Sequence, residues 1–471
     1  MPSLLGKLFG RKSPTTSASP LFDALCARAV DAAKSGDFRH AIQLYDEAIA
    51  LNPANAEAYY KRGNAQRNAG QMDAAVDSYS QAIKIRPGYA HAYCNRGVVQ
   101  QSLGLTAAAL ISYDRAIALD PADAMAHYNR ALLMQELSRW DEALASYDRA
   151  IQIDPQYSDA QYNRSLALLY QGEFASGWPA FEWRWRIARR LGIGLQRQFT
   201  QPLWLGREPI AGKRLLLYCE GGFGDTLQFC RYAKLCAGLG ATVILEVPPS
   251  LRALLKDLAG VAQLIVTGSA LPQFDYHCPL MSLPLTLGTT PDTIPAAPRY
   301  LNSDVAKVER WRARIGERKS PRVGLAWSGN PDNPVDARRS FLLADLVAHL
   351  PPGFQYFCLQ RDVRNADRET LASHPSILSF ADDLLDFSIT AALCECMDLV
   401  ISVDTSAAHL SGALGRPTWV LLPVIPDWRW QQDRADSPWY PTAKLYRQKV
   451  SGDWGEVLGR VATDLREQFP A

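Results

Sequence analysis

The strongest constraint on this 471-residue chain is a 34-residue period in its first half. A proline, two alanines, an aromatic residue and a glycine each recur at this interval. The recurring positions are Ala41, Ala75, Ala109 and Ala143; Tyr45, Tyr79, Tyr113, Tyr147 and Phe181; Ala48, Ala82, Ala116 and Ala150; Pro53, Pro87, Pro121 and Pro155; and Gly36, Gly70, Gly104 and Gly172, with Ser138 replacing one glycine. Small residues let two helices cross closely, an aromatic ring fills the remaining space, and proline ends the second helix. The pattern predicts four stacked helix pairs and a fifth, degenerate one.

These repeats resemble the tetratricopeptide repeat in spacing and residue type. The resemblance implies an α-solenoid whose concave groove holds a peptide or protein segment. The sixth position of successive units, on the first helix, carries Asn95, Asn129 and Asn163. Such a series resembles the asparagine ladder of the O-linked N-acetylglucosamine transferases, whose repeats hold an acceptor polypeptide by its backbone. An amide both donates and accepts hydrogen bonds, so the three are candidate peptide-groove residues; alternatively, they cap or bridge neighbouring helices.

Charge and hydropathy exclude several classes of protein. Lys and Arg total 50 and Asp and Glu total 48, for a net charge of +2. This balance gives no whole-chain attraction to nucleic acid. No apolar run reaches 18 residues, so no transmembrane segment is expected. Residues 1–20 are predicted to form a disordered tail; a weak amphipathic anchor is the alternative, which leaves room for peripheral membrane contact. Nine cysteines without a Cys-x-x-Cys motif favour reduced thiols and a cytoplasmic location.

The segment after the repeats combines aromatic and basic residues. Trp178, Phe181 and Trp185 are spaced by three and four residues, as on a helix that caps the last repeat with its apolar side. The arginines that follow, up to Arg197, leave RNA binding as an alternative to capping. We favour capping.

From Lys213 onward the pattern becomes α/β. Buried-strand patterns at 214–219 and 242–247 alternate with helical patterns at 226–239 and 250–258. After a proline-rich stretch, a second series of strands begins near 322, 354, 399 and 418, and a terminal helix lies near 454–469. Alternating strands and helices indicate doubly wound parallel sheets. The predicted segments are a tail (1–20), a repeat array with capping helix (21–192), a linker (193–212) and two Rossmann-like lobes (213–300 and 301–471).

Two strand-to-helix turns, one per lobe, carry the candidate chemistry. In the first, Gly222 and Gly224 let the backbone approach a ligand, and Asp225 projects at a helix start, where a carboxylate can accept a proton from a hydroxyl. In the second, the N–H groups of residues 405–407 open a helix and suit a diphosphate. Patterns at 206–214 and 222–227 depart from the P-loop and the dinucleotide fingerprint. No metal-ligand motif is present, so neither a metal nor a cofactor is expected.

Together the two turns resemble the heptosyltransferases, a glycosyltransferase family nine-like group, over about Lys213–Gln448. The resemblance implies a GT-B fold with an acceptor-side N-terminal lobe and a C-terminal lobe that binds a nucleotide-diphosphate sugar. It also implies inverting, metal-independent transfer. It assigns residues as follows: Asp225 as catalytic base beside Gly222 and Gly224, Thr405, Ser406 and Ala407 at the donor phosphates, and Asp404 and His409 as residues that shape their loop. Ser406 replaces the family's glycine.

A basic residue that the family carries early in the second lobe has no clear counterpart here. Arg339, with Arg338 beside it, is the candidate to pair with the leaving diphosphate. Purely structural roles remain open for the other residues. Asp225 and Asp404 are good helix caps, and His409 suits a buried helix position. Trp428, Trp430, Trp439 and Tyr440 could either stack on a ligand or pack in the protein interior. Gln360 and Arg361 are candidates for contact with a ligand in the cleft.

The sequence therefore predicts a cytoplasmic glycosyltransferase, with a nucleotide sugar as substrate and a protein or peptide bound in the repeat groove. Because heptose transfer to lipopolysaccharide needs no repeat array, a polypeptide acceptor, or a partner that brings the enzyme to its acceptor, fits better. The alternative is a non-catalytic repeat scaffold with a degenerate glycosyltransferase-like domain. Binding to nucleic acid is not expected.

Overall fold

The computed structural model describes residues 20–191, 197–333 and 335–470, without the side chains of Arg189 and Leu191. The chain divides into two compact units that meet in sequence between Tyr157 and Ser158. The fifth repeat and the predicted capping helix therefore belong to the same unit as the α/β region. The predicted tail up to residue 19 and residues 193–196 of the predicted linker lie outside the described residues.

Over its described residues, 20–157, the first unit contains four helix pairs, as the period predicts. Its helices are α1 (Pro20–Lys34), α2 (Phe38–Leu51), α3 (Ala56–Asn68), α4 (Met72–Ile85), α5 (Ala90–Ser102), α6 (Thr106–Leu119), α7 (Ala124–Glu136) and α8 (Trp140–Ile153). The recurring alanines and tyrosines are buried. A Cβ placed on Gly63 or Gly97 would lie 2.7 Å from the ring of Tyr79 or Tyr113. The aromatic residue of each of these repeats thus packs directly on the backbone of its first helix.

A polar ladder repeats with the same period. Arg62 donates from Nε to Ser78 Oγ (3.0 Å), and Ser78 donates to Gln66 Oε1 (2.6 Å). One repeat later, Arg96 and Ser112 make the same contact (3.2 Å). Buried hydroxyl and amide groups need such partners. The ladder therefore fixes the α3–α4 and α5–α6 pairs with hydrogen bonds as well as by apolar packing.

The turn within each helix pair has left-handed backbone. The glycines of these turns, Gly36, Gly70, Gly104 and Gly172, have φ between 74° and 85°. Ser138, at the equivalent position, has φ of 57°. Only glycine adopts this region without a steric penalty from Cβ. The substitution in the sequence period is therefore a point of local strain.

The second unit begins with α9 (Ser158–Gln171), α10 (Phe174–Phe181) and α11 (Arg184–Leu191). The elements of its first lobe are β1 (Arg214–Tyr218), α12 (Phe223–Phe229), α13 (Ala233–Gly238), β2 (Thr242–Val247), α14 (Pro249–Leu255), β3 (Val261–Val266), β4 (Tyr276–Pro279) and α15 (Leu283–Thr286). Its four strands form a parallel sheet in the order β3-β2-β1-β4.

The second lobe contains a larger parallel sheet. Its elements are α16 (Val305–Ile315), β5 (Arg322–Ala326), α17 (Asp336–Arg339), α18 (Leu343–Val347), β6 (Gln355–Cys358), α19 (Asn365–Ser373), β7 (Ile377–Ser379), α20 (Phe387–Cys394), β8 (Leu399–Val403), α21 (Ser406–Ala413), β9 (Thr418–Leu422), β10 (Ala443–Arg447) and α22 (Trp454–Gln468). The strand order is β10-β9-β8-β5-β6-β7. The terminal helix packs on this sheet through residues such as Val457 and Leu465.

Parallel α/β lobes are thus confirmed, with one correction to the elements. The predicted helix 226–239 begins earlier, at Phe223, and is divided by a 3₁₀ turn at Cys230–Tyr232. Arg231 lies in this turn and is buried, donating to the carbonyl groups of Gln228 and Trp439. The helix is interrupted where this cation enters the protein interior. Among the described residues, no helix is both long and apolar enough to cross a membrane.

We expect Ser138→Gly to stabilise the chain by about 0.5–1 kcal/mol, because it removes a Cβ from left-handed backbone. Thermal and urea unfolding of the full chain measure the effect. The converse change, Gly70→Ser, should be destabilising. Gly88→Ser is the matched control, since Gly88 has no left-handed φ and no atom lies within 4 Å of its added Cβ. An equal effect at positions 70 and 88 would contradict the prediction.

Candidate functional site

The two predicted turns lie next to each other in the second unit. α12 of the first lobe packs against α21 of the second. The contact is closest at Gly224, where an added Cβ would lie 2.6 Å from Cδ2 of His409. A side chain at position 224 would force the turns apart. The structure therefore brings Gly222, Gly224 and Asp225 together with Asp404–His409 in one site.

Asp225 lies in the first turn of α12 and makes two polar contacts. Its Oδ2 accepts a hydrogen bond from the backbone N–H of Gly222 (2.7 Å), so it does cap its own helix. Its Oδ1 pairs with the guanidinium of Arg429. The side chain keeps 26% of its surface exposed. Asp225 is thus held in place while remaining accessible from outside.

Arg429 is the residue of this site that sequence reasoning missed. It lies in a 3₁₀ turn, Trp428–Trp430, with 8% of its side chain exposed. Besides Asp225, it pairs with Asp427 (2.8 Å) and donates from Nε to Gln228 Oε1 (2.6 Å). Its guanidinium also lies 4.5 Å from the centre of the Trp428 ring. Arg429 and Asp225 are 204 positions apart in the sequence, so no local motif reveals the pair.

The second turn presents the start of α21. Thr405 is the N-cap, and its Oγ1 accepts from the backbone N–H of Ala407 (3.3 Å). Ser406 is half-buried and Ala407 is buried. The N–H groups at this end carry the partial positive charge of the helix dipole. The arrangement is of the type that binds phosphate groups.

Arg339 lies beside this turn, as the sequence suggested. Its Nη1 donates to the carbonyl oxygen of Asp404 (2.7 Å), and its Nε contacts Asp336 Oδ1 (3.3 Å). The same buried Asp336 pairs with Arg364. Arg338, by contrast, is exposed. Asp336 is therefore shared by two arginines, and one of them, Arg339, lies next to the start of α21.

Burial changes the titration of Asp404 and His409. Desolvation, and then the nearby Asp427, raise the pKa of Asp404 to about 6. Desolvation, and then Arg429, hold the pKa of His409 well below its usual range. The ring is therefore neutral at pH 7, and the 3.6 Å between His409 Nε2 and Asp404 Oδ1 is not an ion pair. His409 Nδ1 is 2.8 Å from the hydroxyl of Tyr440, which fixes the ring.

The aromatic residues near the site are structural. Trp428, Trp430, Trp439 and Tyr440 are all buried, so ordinary packing accounts for them and the ligand-stacking alternative does not. Gln360 accepts from the backbone N–H groups of Trp327 and Ser328, which braces the loop after β5. Arg361 is exposed.

The segment α10–α11 packs on the α/β lobes. The indole of Trp178 donates to the carbonyl of Thr289 (3.1 Å) and meets the ring of Trp428 edge-on at 5.2 Å. Phe181 is also buried. Arg190 pairs with Asp159, and Arg184 pairs with Glu220. The aromatic residues and these arginines thus have structural partners within the unit, in agreement with a capping role.

The groove asparagines differ in their contacts. Asn95 donates to the hydroxyl of Tyr60 (3.0 Å) and to Asn64 Oδ1 (2.9 Å). Asn129 lies 3.5 Å from Cys94 Sγ. Both amides therefore bridge the first helices of adjacent repeats, in agreement with the alternative to peptide binding. Asn163 lies on α9, in the second unit. In the first unit, a cavity of about 270 Å³ is lined by Val30, Ala33, Lys34, Tyr45, Lys61, Asn64, Ala65 and Asn68.

Comparison with known families identifies the repeats. Tetratricopeptide repeat models match residues 26–90, 90–123, 112–145 and 135–172. The N-terminal part of the chain is therefore a tetratricopeptide repeat region, of a kind that mediates protein interactions. These matches end at residue 172, before the α/β lobes.

Similarity to individual proteins is more distant. Protein FlbA of Caulobacter vibrioides is 28% identical over 328 residues, which cover 64% of this chain and 54% of FlbA. The chain thus spans about half the length of this curated relative. MamA of Desulfovibrio magneticus RS-1 is 18% identical, covering 37% of this chain and 96% of MamA, with a TM-score of 0.33. YrrB, described as a TPR protein with an unusual peptide-binding site, is 21% identical, covering 37% and 94%, with a TM-score of 0.31.

The raised pKa of Asp404 predicts a pH-dependent effect of Asp404→Asn. A carboxyl whose pKa is higher in the folded state loses its stabilising contribution as pH rises from about 4 to 6. The variant behaves like the protonated form, so its stability relative to the parent should increase by roughly 1 kcal/mol between pH 5 and pH 8. Urea unfolding at both pH values measures this difference.

Asp257→Asn is the control for that experiment, because the Asp257 side chain is 85% exposed. Its effect on stability should be the same at pH 5 and pH 8. A variant at position 404 that loses stability relative to the parent on going to pH 8 would show that the charged form of Asp404 is favoured in the fold.

Proposed function

We propose that the chain is a glycosyltransferase that moves a sugar from a nucleotide-diphosphate donor to an acceptor selected through its repeats. One observation carries this proposal: two parallel α/β lobes bring their strand-to-helix turns together at Gly224 and His409. One turn supplies a carboxylate, Asp225, and the other supplies a helix start. A base and an anion site side by side are what transfer from a diphosphate donor requires.

The donor diphosphate would bind at the start of α21. Backbone N–H groups there and the guanidinium of Arg339 supply hydrogen bonds and positive potential. Ser406 retains its backbone N–H although it replaces the family's glycine. In this proposal these groups stabilise the leaving diphosphate without a metal ion.

Asp225 would act as the catalytic base. Each carboxylate oxygen has a second lone pair beyond its contact with Gly222 or Arg429. An acceptor hydroxyl could therefore donate to Asp225 without displacing either partner. The acceptor oxygen forms a bond to the anomeric carbon as the bond to the diphosphate breaks. The leaving group takes that electron pair, Asp225 takes the proton, and the configuration inverts.

The repeats would choose the acceptor or a partner that carries it. The cavity in the first unit is lined by Tyr45, whose surroundings differ from those of the equivalent tyrosines in the next two repeats. Tyr79 donates its hydroxyl to Asn64 (2.7 Å) and Tyr113 donates to Gln101 (2.9 Å). The corresponding positions for Tyr45 are Val30 and Ala33, whose side chains cannot accept a hydrogen bond. Tyr45 therefore lines a cavity that combines apolar side chains with those of two lysines and two asparagines, where a peptide side chain or carbonyl group would fit.

A scaffold without catalysis is the second candidate. The observation that favours it is the pairing of Asp225 with both Gly222 and Arg429, which a purely structural carboxylate would also show. Nucleotide binding and turnover separate the two functions.

We expect one of ADP, UDP and GDP, or its sugar conjugates, to raise the melting temperature of the full chain. A ligand at 100 times its Kd stabilises by about 2.7 kcal/mol, which corresponds to several degrees. The full chain is required because α10 and α11 pack on the lobes. Arg339→Met should abolish the shift, and exposed Arg338→Met is the matched control. No shift with any of these ligands would favour the scaffold.

With the donor identified, Asp225→Asn should lower the transfer rate by about 10²–10⁴-fold while leaving the thermal shift by the nucleotide in place. Asp427→Asn is the comparison, since it removes the other carboxylate from Arg429 without touching the proposed base. Equal losses in the two variants would mean that the charge balance at Arg429, and not proton transfer, governs the rate.

A further inference from the structure

A buried ion pair lies directly before the turn that carries Asp225. Glu220 follows β1 by two residues and precedes Gly222 by two. Its carboxylate accepts two hydrogen bonds from Arg184 of α11: from Nη2 to Oε1 (3.0 Å) and from Nε to Oε2 (3.1 Å). The side chains of Arg184 and Glu220 are 10% and 6% exposed. A two-point contact with a planar guanidinium fixes both the position and the rotation of a carboxylate.

Arg184 is itself held from several sides. Its Nη1 pairs with Glu182 Oε1 (2.5 Å) and its Nη2 donates to Ser282 Oγ (2.7 Å). Ser282 in turn donates to Glu182 Oε1 (2.8 Å). The guanidinium lies 4.7 Å from the centre of the Phe181 ring and 4.5 Å from that of Trp185. Because these contacts hold the guanidinium from several sides, Arg184 keeps the Glu220 carboxylate in one position.

The network also reaches the loop after β4. The backbone N–H of Met281 donates to Glu220 Oε1 (3.0 Å). One carboxylate therefore connects α11, the end of β1 and the end of β4. Asp225 follows Glu220 by five residues in the sequence. Within them, Gly222 donates its N–H to Asp225 Oδ2 (2.7 Å).

We propose that Arg184 is a positioning residue for Asp225, acting through Glu220 on the Gly222–Asp225 turn. The proposal rests on the proposed transferase function for its catalytic consequence, but not for its structural one. Arg184 contacts neither Asp225 nor the start of α21. A segment that the sequence places at the end of the repeats would thus complete the catalytic turn.

The structural test is hydrogen exchange of the full chain, comparing the parent with Arg184→Met and Arg184→Lys. The amides of Gly222 and Met281 report the network, and those of β5 serve as an internal reference. In Arg184→Met we expect exchange at both amides to rise at least tenfold, with β5 unchanged. Lysine keeps the charge without the two-point contact, so Arg184→Lys should give a smaller rise.

The functional test separates positioning from binding. The donor thermal shift and donor KM should be unchanged in Arg184→Met, while kcat falls about 10- to 100-fold; Arg184→Lys should recover part of the loss. Arg190→Met is the matched control, since it removes a cation from the same helix whose partner, Asp159, belongs to α9. Glu220→Gln should reproduce the loss if Arg184→Met does not fold.

Unchanged exchange at Gly222 in both Arg184→Met and Glu220→Gln would overturn the proposal, as would an equal loss from Arg190→Met. A parent chain without any transfer activity would overturn the proposed function instead. In that case raised exchange at Gly222 would still establish that Arg184 positions the turn.

Discussion

The contact between Arg429 and Asp225 is the interaction on which the site depends. A cation buried to this extent is stable in the fold only if carboxylates and hydrogen-bond acceptors surround it, and Arg429 has Asp225, Asp427 and Gln228. Two of these three partners belong to α12 of the first lobe, whereas Arg429 and Asp427 belong to the second. The pairing therefore fixes one lobe against the other at the point where the two strand-to-helix turns meet. Removing Arg429 would leave Asp225 and Asp427 without the cation that they share.

The surroundings of Arg429 explain why the end of the repeat region belongs to the α/β unit. The guanidinium lies against Trp428, and Trp428 is covered by the edge of Trp178 from α10. Trp178 also donates to the carbonyl of Thr289 in the first lobe. Without α10, both Trp428 and the neighbouring ion pair would face water, which weakens charge pairing. The apolar side of α10, to which the sequence assigns a capping role, thus also shields the ion pair of Arg429 and Asp225 from water.

Sequence reasoning recovered those parts of the fold that repeat or that follow a local pattern. The 34-residue period predicted the helix pairs, and apolar runs predicted β1, β2, β5, β6, β8 and β9. It missed β3, whose residues such as Ala262 and Gln263 are exposed, and three short strands, β4, β7 and β10. It also missed the break at Arg231, because a charged residue in a helical pattern is normally placed on the surface. The site turns were found from glycines and helix starts, but Arg429 depends on a contact that no spacing in the chain encodes.

Asp225 is paired with Arg429, and whether it can still serve as a base depends on the other contacts that hold Arg429. If Arg429 had Asp225 as its sole contact, substrate binding could pull the arginine away and change the charge at the base. Here Asp427 and Gln228 retain the guanidinium, so in the proposed mechanism Arg429 would keep its place while Asp225 accepts the proton of the acceptor. The neutral ring of His409, held by Tyr440, adds no competing charge between the base and the start of α21. A fixed cation beside the base also favours the oxygen anion that forms as the acceptor hydroxyl is deprotonated. The ion pair that makes Asp225 look structural is, on this argument, compatible with its use as a base.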